Sequence, residues 1–177
     1  MNREFRVFTL YGLPVSIVPG FVAGTGLTVA ALAGIGLFAL GFGLIPSLAG
    51  AVAATALMWL SELAHQLGHA IAARRAGHPM IAITLGRYLV LGTSVYSSDE
   101  GELPPVIHIR RALGGPIASL IVSAIALPIA LALRASAGAP FAVAVFVFLL
   151  NFGAYTLQIA LPLGFNDGAT LWKYLRP

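Results

Sequence analysis

The stretch that decides the fold is LSELAHQLGHAIAARR, residues 60–75. It places His65 and His69 four residues apart in a segment that is otherwise largely apolar. At about 100° per residue, both histidines share one face of a helix with Glu62 and Gln66. Two imidazoles at this spacing can hold one divalent ion, and a third ligand from elsewhere in the chain would leave a position open for water.

A second interpretation of the same face stays open. The two histidines and Glu62 could form a polar seam that packs against a neighbouring helix. Ionisable groups within an apolar span are costly and usually mark a functional site, which favours the metal hypothesis. The spacing is also that of the zinc-protease motif H-E-x-x-H, except that Gln66 replaces the catalytic glutamate.

Composition places this helix in a bilayer. Of the 177 residues, 59% are hydrophobic and only 9% are charged, which is too little polar surface for a water-soluble protein of this size. The net charge of +4 does not indicate nucleic-acid binding, because the basic residues are few and flank apolar runs. The chain has no cysteine, so disulfides and thiolate ligands are excluded.

Four apolar stretches are long enough to cross a membrane at about 1.5 Å per residue. We therefore expect an all-α membrane protein with a single domain over residues 1–177. Its transmembrane helices are predicted at residues 20–43, 48–76, 113–133 and 139–163. Gly20 and Gly24 have GxxxG spacing in the first of these, which predicts the close approach of a neighbouring helix.

Two segments outside these spans have the composition of strands. Residues 3–17 mix Phe, Val and Tyr with charges, and residues 79–96 are rich in Ile, Val, Thr and Tyr around Gly86-Arg87. They predict a small β-hairpin or sheet at the membrane surface, with its turn at Gly86-Arg87. An acidic, proline-containing loop follows at residues 97–105.

The basic residues predict an orientation. With the N-terminus in the cytoplasm, nine of the ten Lys and Arg residues fall on the cytoplasmic side, and only Arg134 lies outside. Both termini are then cytoplasmic, and His65 and His69 lie in the cytoplasmic half of the bilayer. His78 and His108 adjoin basic residues and are expected at the interface rather than on a metal.

Four motifs in one order resemble the site-2 proteases, a family of intramembrane zinc metalloproteases, and together they span nearly the whole chain. The motifs are FRVFTLYGLP (residues 5–14), similar to a strand and Gly-x-Pro turn before the first span; HQLGHA (65–70), similar to HExGHA; ALGGPIAS (112–119), similar to a GP-x-x-N helix start; and LPLGFNDG (161–168), similar to N-x-x-P-x-x-x-x-D-G. The chain departs from the family at two asparagine positions. Ser119 replaces the Asn of the third motif, and Ile159, next to Gln158, replaces the Asn of the fourth.

This resemblance implies a zinc ion held by His65, His69 and Asp167. It implies hydrolysis of a peptide bond in or beside the transmembrane helix of a substrate protein, in a prokaryotic plasma membrane. The predicted hairpin could receive an unwound substrate segment by strand addition.

Gln66 leaves the activity open, because an amide cannot accept a proton from zinc-bound water at neutral pH. Three explanations compete. The glutamine was engineered, or it is natural in a pseudoprotease that binds transmembrane partners without cutting them, or Glu62 acts as the base. Glu62 could instead hydrogen-bond a ligand histidine or, less favourably, bind the metal directly.

Asn151 and Gln158 lie seven residues apart in the fourth predicted span and so share a helix face. Hydrogen bonds between helices are the favoured role for them, and support of an oxyanion is the alternative. A transporter is disfavoured, because the chain lacks paired broken helices in two similar halves.

Overall fold

The computed structural model describes residues 3–164 and 166–175. Two residues used above lie outside this part of the chain, namely Phe165 in the 161–168 motif and Arg176 among the predicted cytoplasmic charges. The described residues form four long helices, a short final helix and a four-stranded sheet, in the order β1-β2-α1-α2-β3-β4-α3-α4-α5.

The long helices account for most of the chain. Their bounds are α1 Pro19–Gly34, with a π-helical end Ile35–Ala39; α2 Leu44–Arg75; α3 Pro105–Leu133, with a 3-10 end Arg134–Ser136; and α4 Ala139–Leu149, continued by a π-helical part Leu150–Thr156 and a 3-10 turn Leu157–Ala160. Each of these four units is long and apolar enough to cross a membrane. The short helix α5 spans Asp167–Leu175.

The third long helix begins at Pro105, eight residues before the predicted start at residue 113. The charges at Arg110 and Arg111 had indicated the flank of a span, but α3 runs through them. Arg111 is buried, because its guanidinium forms an ion pair with Glu100 in the preceding loop. It also lies 4.1 Å from the centre of the Tyr96 ring. A charge with such partners can stay inside a helix where sequence hydropathy alone would end the span.

The sheet is mixed and four-stranded rather than a single hairpin. Its strands are β1 Phe5–Leu10, β2 Leu13–Ile17, β3 Ala82–Tyr88 and β4 Leu91–Val95, in the spatial order β1-β2-β3-β4. The outer pairs are antiparallel, and β2 runs parallel to β3. The parallel pair is possible because α1 and α2 form a crossover between those two strands.

The prediction of a hairpin turn at Gly86-Arg87 is wrong. The chain turns at residues 89 and 90, and Gly86 instead lies where the β3–β4 register shifts between Leu85 and Tyr88. Gly86 has φ +80°, and a side chain there would collide with the backbone of Phe21 in α1. The glycine is therefore needed for an irregularity within a strand and for close contact with α1.

The glycines of α1 face this hairpin and not a helix, so the predicted helix-packing role of Gly20 and Gly24 is also wrong. A Cβ on Gly20 would meet the carbonyl oxygen of Gly86, and one on Gly24 would lie 2.5 Å from the carbonyl oxygen of Leu89. Small residues at this spacing permit close backbone approach, but the spacing does not identify the neighbour.

Helices α2 and α3 touch backbone to backbone where Gly68 meets Gly114. A Cβ on either glycine would collide with the carbonyl oxygen of the other. Because Gly68 lies between His65 and His69 in α2, this contact brings both histidines against α3. The crossing therefore positions the candidate site.

Candidate metal centre

Three side chains from two distant parts of the sequence converge beside this crossing. His65 Nε2 lies 3.3 Å from Asp167 Oδ2, and His69 Nε2 lies 3.3 Å from Asp167 Oδ1. The two Nε2 atoms lie 3.1 Å apart. In a tetrahedral zinc site with bonds of about 2.0 to 2.1 Å, neighbouring ligand atoms are separated by about 3.3 Å. The triad therefore has the spacing of a metal site.

The other ring nitrogen of each histidine is already hydrogen-bonded. His69 Nδ1 donates to the carbonyl oxygen of Arg111 at 2.7 Å, and His65 Nδ1 contacts Ser119 Oγ at 2.9 Å. With a proton on Nδ1, each Nε2 would offer a lone pair to a metal ion beside the Asp167 carboxylate. Two imidazole nitrogens and one carboxylate oxygen are a donor set that fits a divalent metal ion.

Gly115 keeps the space in front of these nitrogens open. A Cβ built at Gly115 would collide with the Nε2 atoms of both His65 and His69. Pro116 follows and has no backbone N–H, so the carbonyl of Ala112 lacks its usual donor four residues later. The two glycines thus permit helix contact at Gly114 and an open space at Gly115.

Asp167 reaches the histidines because a capped turn holds the start of α5. Asn166 Oδ1 accepts from the backbone N–H of Ala169 at 3.0 Å, and its Nδ2 donates to the carbonyls of Gln158 and Leu161. Burial raises the pKa of the Asp167 carboxyl, but hydrogen bonds from the two histidines outweigh burial and hold that pKa below its usual range. The third ligand position is therefore an anion.

Gln66 and Glu62 form a hydrogen-bonded link between α2 and β4. Gln66 Nε2 donates to Glu62 Oε1 at 2.9 Å, and Ser94 Oγ donates to Gln66 Oε1 at 2.8 Å. The backbone N–H of Gly92 donates to the same Glu62 oxygen at 2.9 Å. Both polar ends of the Gln66 amide are thus occupied by protein groups.

Glu62 has different partners from those expected. No hydrogen bond from a ligand histidine to the Glu62 carboxylate is found among the described residues, and Ser119 and the Arg111 carbonyl contact the two rings instead. Sequence reasoning missed both. Ser119 could have been found, because it occupies the polar position four residues after Gly115 in the Gly-Pro motif.

The other polar candidates separate into two groups. Gln158 adjoins the triad, since its Nε2 lies 3.3 Å from Asp167 Oδ2. Asn151 donates to Ser61 Oγ in α2 at 2.9 Å, which is the favoured interhelical role. His78 lies 3.9 Å from the Glu100 carboxylate, and His108 stacks on Tyr174, so neither joins the triad.

The chain is similar to the solved structure of the site-2 protease from Methanocaldococcus jannaschii, with a TM-score of 0.64. The fold is that of a site-2 protease. The match covers 98% of this chain and 71% of that one, at 16% sequence identity. A scan against protein-family models and a search of curated proteins gave no match.

The likeness covers the four long apolar helices and the small sheet of this chain, since 98% of it is matched. At this low identity the likeness concerns architecture, so the chemistry must be argued from the side chains of this chain. Those side chains supply three groups that could hold a metal ion, and the Gln66 amide lies on the same helix as the two histidines.

Proposed function

We propose that this protein is an integral membrane, zinc-binding pseudoprotease that captures an extended segment of a membrane-protein partner without cleaving it efficiently. The arrangement of Gln66 carries this proposal. Its amide is held between Glu62 and Ser94 and offers no proton acceptor to a water molecule.

His65, His69 and Asp167 would hold the zinc ion. When bound in a site of this kind, zinc polarises a carbonyl and lowers the pKa of a coordinated water. The protein must then supply the base that takes the proton, a contribution typically worth about 10² to 10⁴ in rate. Gln66 cannot make it, and Glu62 Oε1 is already shared by two N–H donors.

Strand β4 is the proposed capture site for the partner. It is an edge strand of the sheet, and it lies beside α2 through the contacts of Glu62 with Gly92 and of Gln66 with Ser94. In an antiparallel pair, the backbone N–H and C=O groups of every second residue point away from the neighbouring strand, so some of those in β4 do not pair with β3. An extended partner segment can pair with those that remain free, next to the metal-bearing helix.

We further propose that the long helices span a prokaryotic plasma membrane with both termini in the cytoplasm. Support comes from the four units of membrane-crossing length and from the predicted distribution of basic residues. The triad then lies near the cytoplasmic surface, where α2 ends in Arg74 and Arg75.

A second candidate function is proteolysis with Glu62 as the base. Its carboxylate lies 2.9 Å from the Gln66 amide nitrogen, so a carboxylate does adjoin the position from which the catalytic glutamate is missing. In this case Gln66 would orient Glu62 and would not disable the site.

Cleavage of a membrane-protein substrate in detergent or nanodiscs distinguishes the two candidates. The purified full chain, Gln66→Glu and Glu62→Gln are compared after each is loaded with one equivalent of zinc. We expect only residual turnover by the parent and by Glu62→Gln, and higher turnover by Gln66→Glu. Turnover by the parent that Glu62→Gln abolishes would overturn the pseudoprotease proposal and support Glu62 as the base.

A further inference from the structure

We infer that β1 is an interfacial anchor, whose apolar face inserts into a leaflet that contains anionic phospholipid. This inference rests on the membrane placement proposed above but not on the metal site. The relevant surface, called the β1 face below, consists of Phe5, Phe8 and Leu10.

The strand register defines this face. Phe5, Phe8 and Leu10 pair with Ile17, Val15 and Leu13 of β2. Residues directly opposite in an antiparallel pair point to the same side of the sheet. Val15 is fully buried in the core beneath the sheet, so the β1 face turns toward the helices and not toward the cytoplasm.

The helices do not extend far enough to cover this face. Leu10 packs against the core cluster, but Phe5 and Phe8 are not part of it and remain 53% and 42% exposed. β1 is an edge strand, so its outer half overhangs the helical bundle. Aromatic side chains in such a position suit the boundary between headgroups and acyl chains.

The connections of the chain determine where β1 lies along the direction of the long helices. β2 ends at Ile17, and the first long helix begins two residues later at Pro19. The turn between β1 and β2 lies beside the end of α2, since the Arg74 guanidinium lies 5.2 Å from the centre of the Tyr11 ring. The overhanging face is therefore at the level where two membrane-length helices end.

The charges around the strand identify the lipid class. Arg3, Arg6 and Arg74 are basic residues near the strand, and none of them has a carboxylate partner within the described residues, while Glu4 beside Phe5 pairs with Arg87. The Arg6 guanidinium instead bonds the Thr9 hydroxyl on the opposite side of the sheet from Phe8. Arginines at a membrane surface favour anionic headgroups.

Single nitroxide labels test the inference, since the chain has no cysteine. Phe8→Cys reports on the β1 face, and Thr9→Cys on the opposite side is its matched control. Val22→Cys lies on an exposed position of α1 and reports on membrane placement. Each labelled full chain is placed in nanodiscs, and its collisions with oxygen and with a water-soluble nickel chelate are measured by electron paramagnetic resonance.

We expect the label at residue 8 to be reached by oxygen and shielded from nickel, as at residue 22, and the label at residue 9 to show the reverse. The shielding at residue 8 should decrease when phosphatidylglycerol is replaced by phosphatidylcholine.

Nickel access at residue 8 with a lipid signal at residue 22 would overturn the anchor but leave the membrane placement intact. Shielding of residue 8 from both reagents would also overturn it, because protein would then cover the face. Equal shielding in both lipids would overturn the anionic preference, and nickel access at residue 22 would overturn the membrane placement itself.

Discussion

Gln66 donates a hydrogen bond from its amide nitrogen to the carboxylate of Glu62, at 2.9 Å. The bond joins two side chains one helical turn apart, at the point where α2 meets β4. It requires an N–H group at residue 66. A glutamate there would instead place two carboxylates in contact, so Glu62 matches the glutamine and not the residue of the protease motif.

Restoring the protease motif should therefore take two substitutions. We expect Gln66→Glu alone to gain less cleavage activity than Gln66→Glu combined with Glu62→Gln, because the second change removes the repulsion and restores an amide partner. Relative to the parent, the double variant should gain about 10² to 10⁴ in turnover. The measurement is single-turnover cleavage of a membrane substrate, and equal activity of the single and double variants would contradict this view of the pair.

Ser119 should contribute to metal affinity through His65. Ser119→Ala removes the hydroxyl that lies 2.9 Å from His65 Nδ1. Loss of such an orienting contact typically weakens metal binding by about 10- to 100-fold. Ser123→Ala is the matched control, since Ser123 is buried on the same helix and its hydroxyl donates to the Ser119 carbonyl. Competition titrations with a zinc chelator measure both, and equal affinities for the two variants would count against the assigned role.

Gly115 should be needed for metal binding more than for folding. The methyl group of Gly115→Ala would collide with the Nε2 atoms of both histidines. We expect loss of bound zinc, measured by elemental analysis of the purified protein. Gly26→Ala in α1 is the control, because a Cβ there meets nothing within 4 Å. Full zinc occupancy in Gly115→Ala would show that the space in front of the nitrogens is not the metal position.

Glu100 should make stability depend on pH in the acidic range. The hydrogen bond from the Arg111 guanidinium, opposed by burial, holds the pKa of the Glu100 carboxyl below its ordinary value of 4.5. A lowered native pKa gives a stabilisation that is complete above the unfolded-state value and is lost as the pH falls through the native one.

The test compares thermal unfolding of the parent and Glu100→Gln across acidic pH. The variant should be less stable by about 2 kcal/mol near neutral pH, and the difference should shrink on acidification. Glu102→Gln is the control, since Glu102 is exposed. A difference that stays constant with pH would mean that the charge of Glu100 is not what stabilises the loop.

Much of this fold follows from local sequence patterns. Apolar length predicted the four long helices, and the spacing of His65 and His69 placed them on one face. The third helix was predicted too short, because Arg111 was judged without Glu100, the loop residue that neutralises it. The sequence likewise showed that Gly20 and Gly24 are small enough for close packing. It did not show that the element packed against them is a hairpin turn and not a helix.

Some residues of the candidate site were predicted from the sequence, and others were not. The motif around residues 161–168 identified Asp167, which local helix geometry could not have placed beside α2. The roles of Ser119 and of the Arg111 carbonyl depend on the crossing at Gly68 and Gly114, a contact between segments far apart in sequence. The partners of Glu62 depend on where β4 lies, which the alternation of a strand does not determine.

His65, His69 and Asp167 are proposed to hold one zinc ion in this chain. The most direct measurement is the zinc content of the purified full chain, with zinc X-ray absorption to identify the ligands. We expect one zinc per chain with two imidazole ligands, and loss of that zinc in His65→Ala and in Asp167→Asn. No bound zinc in the parent after zinc loading, or full zinc content in both variants, would contradict it.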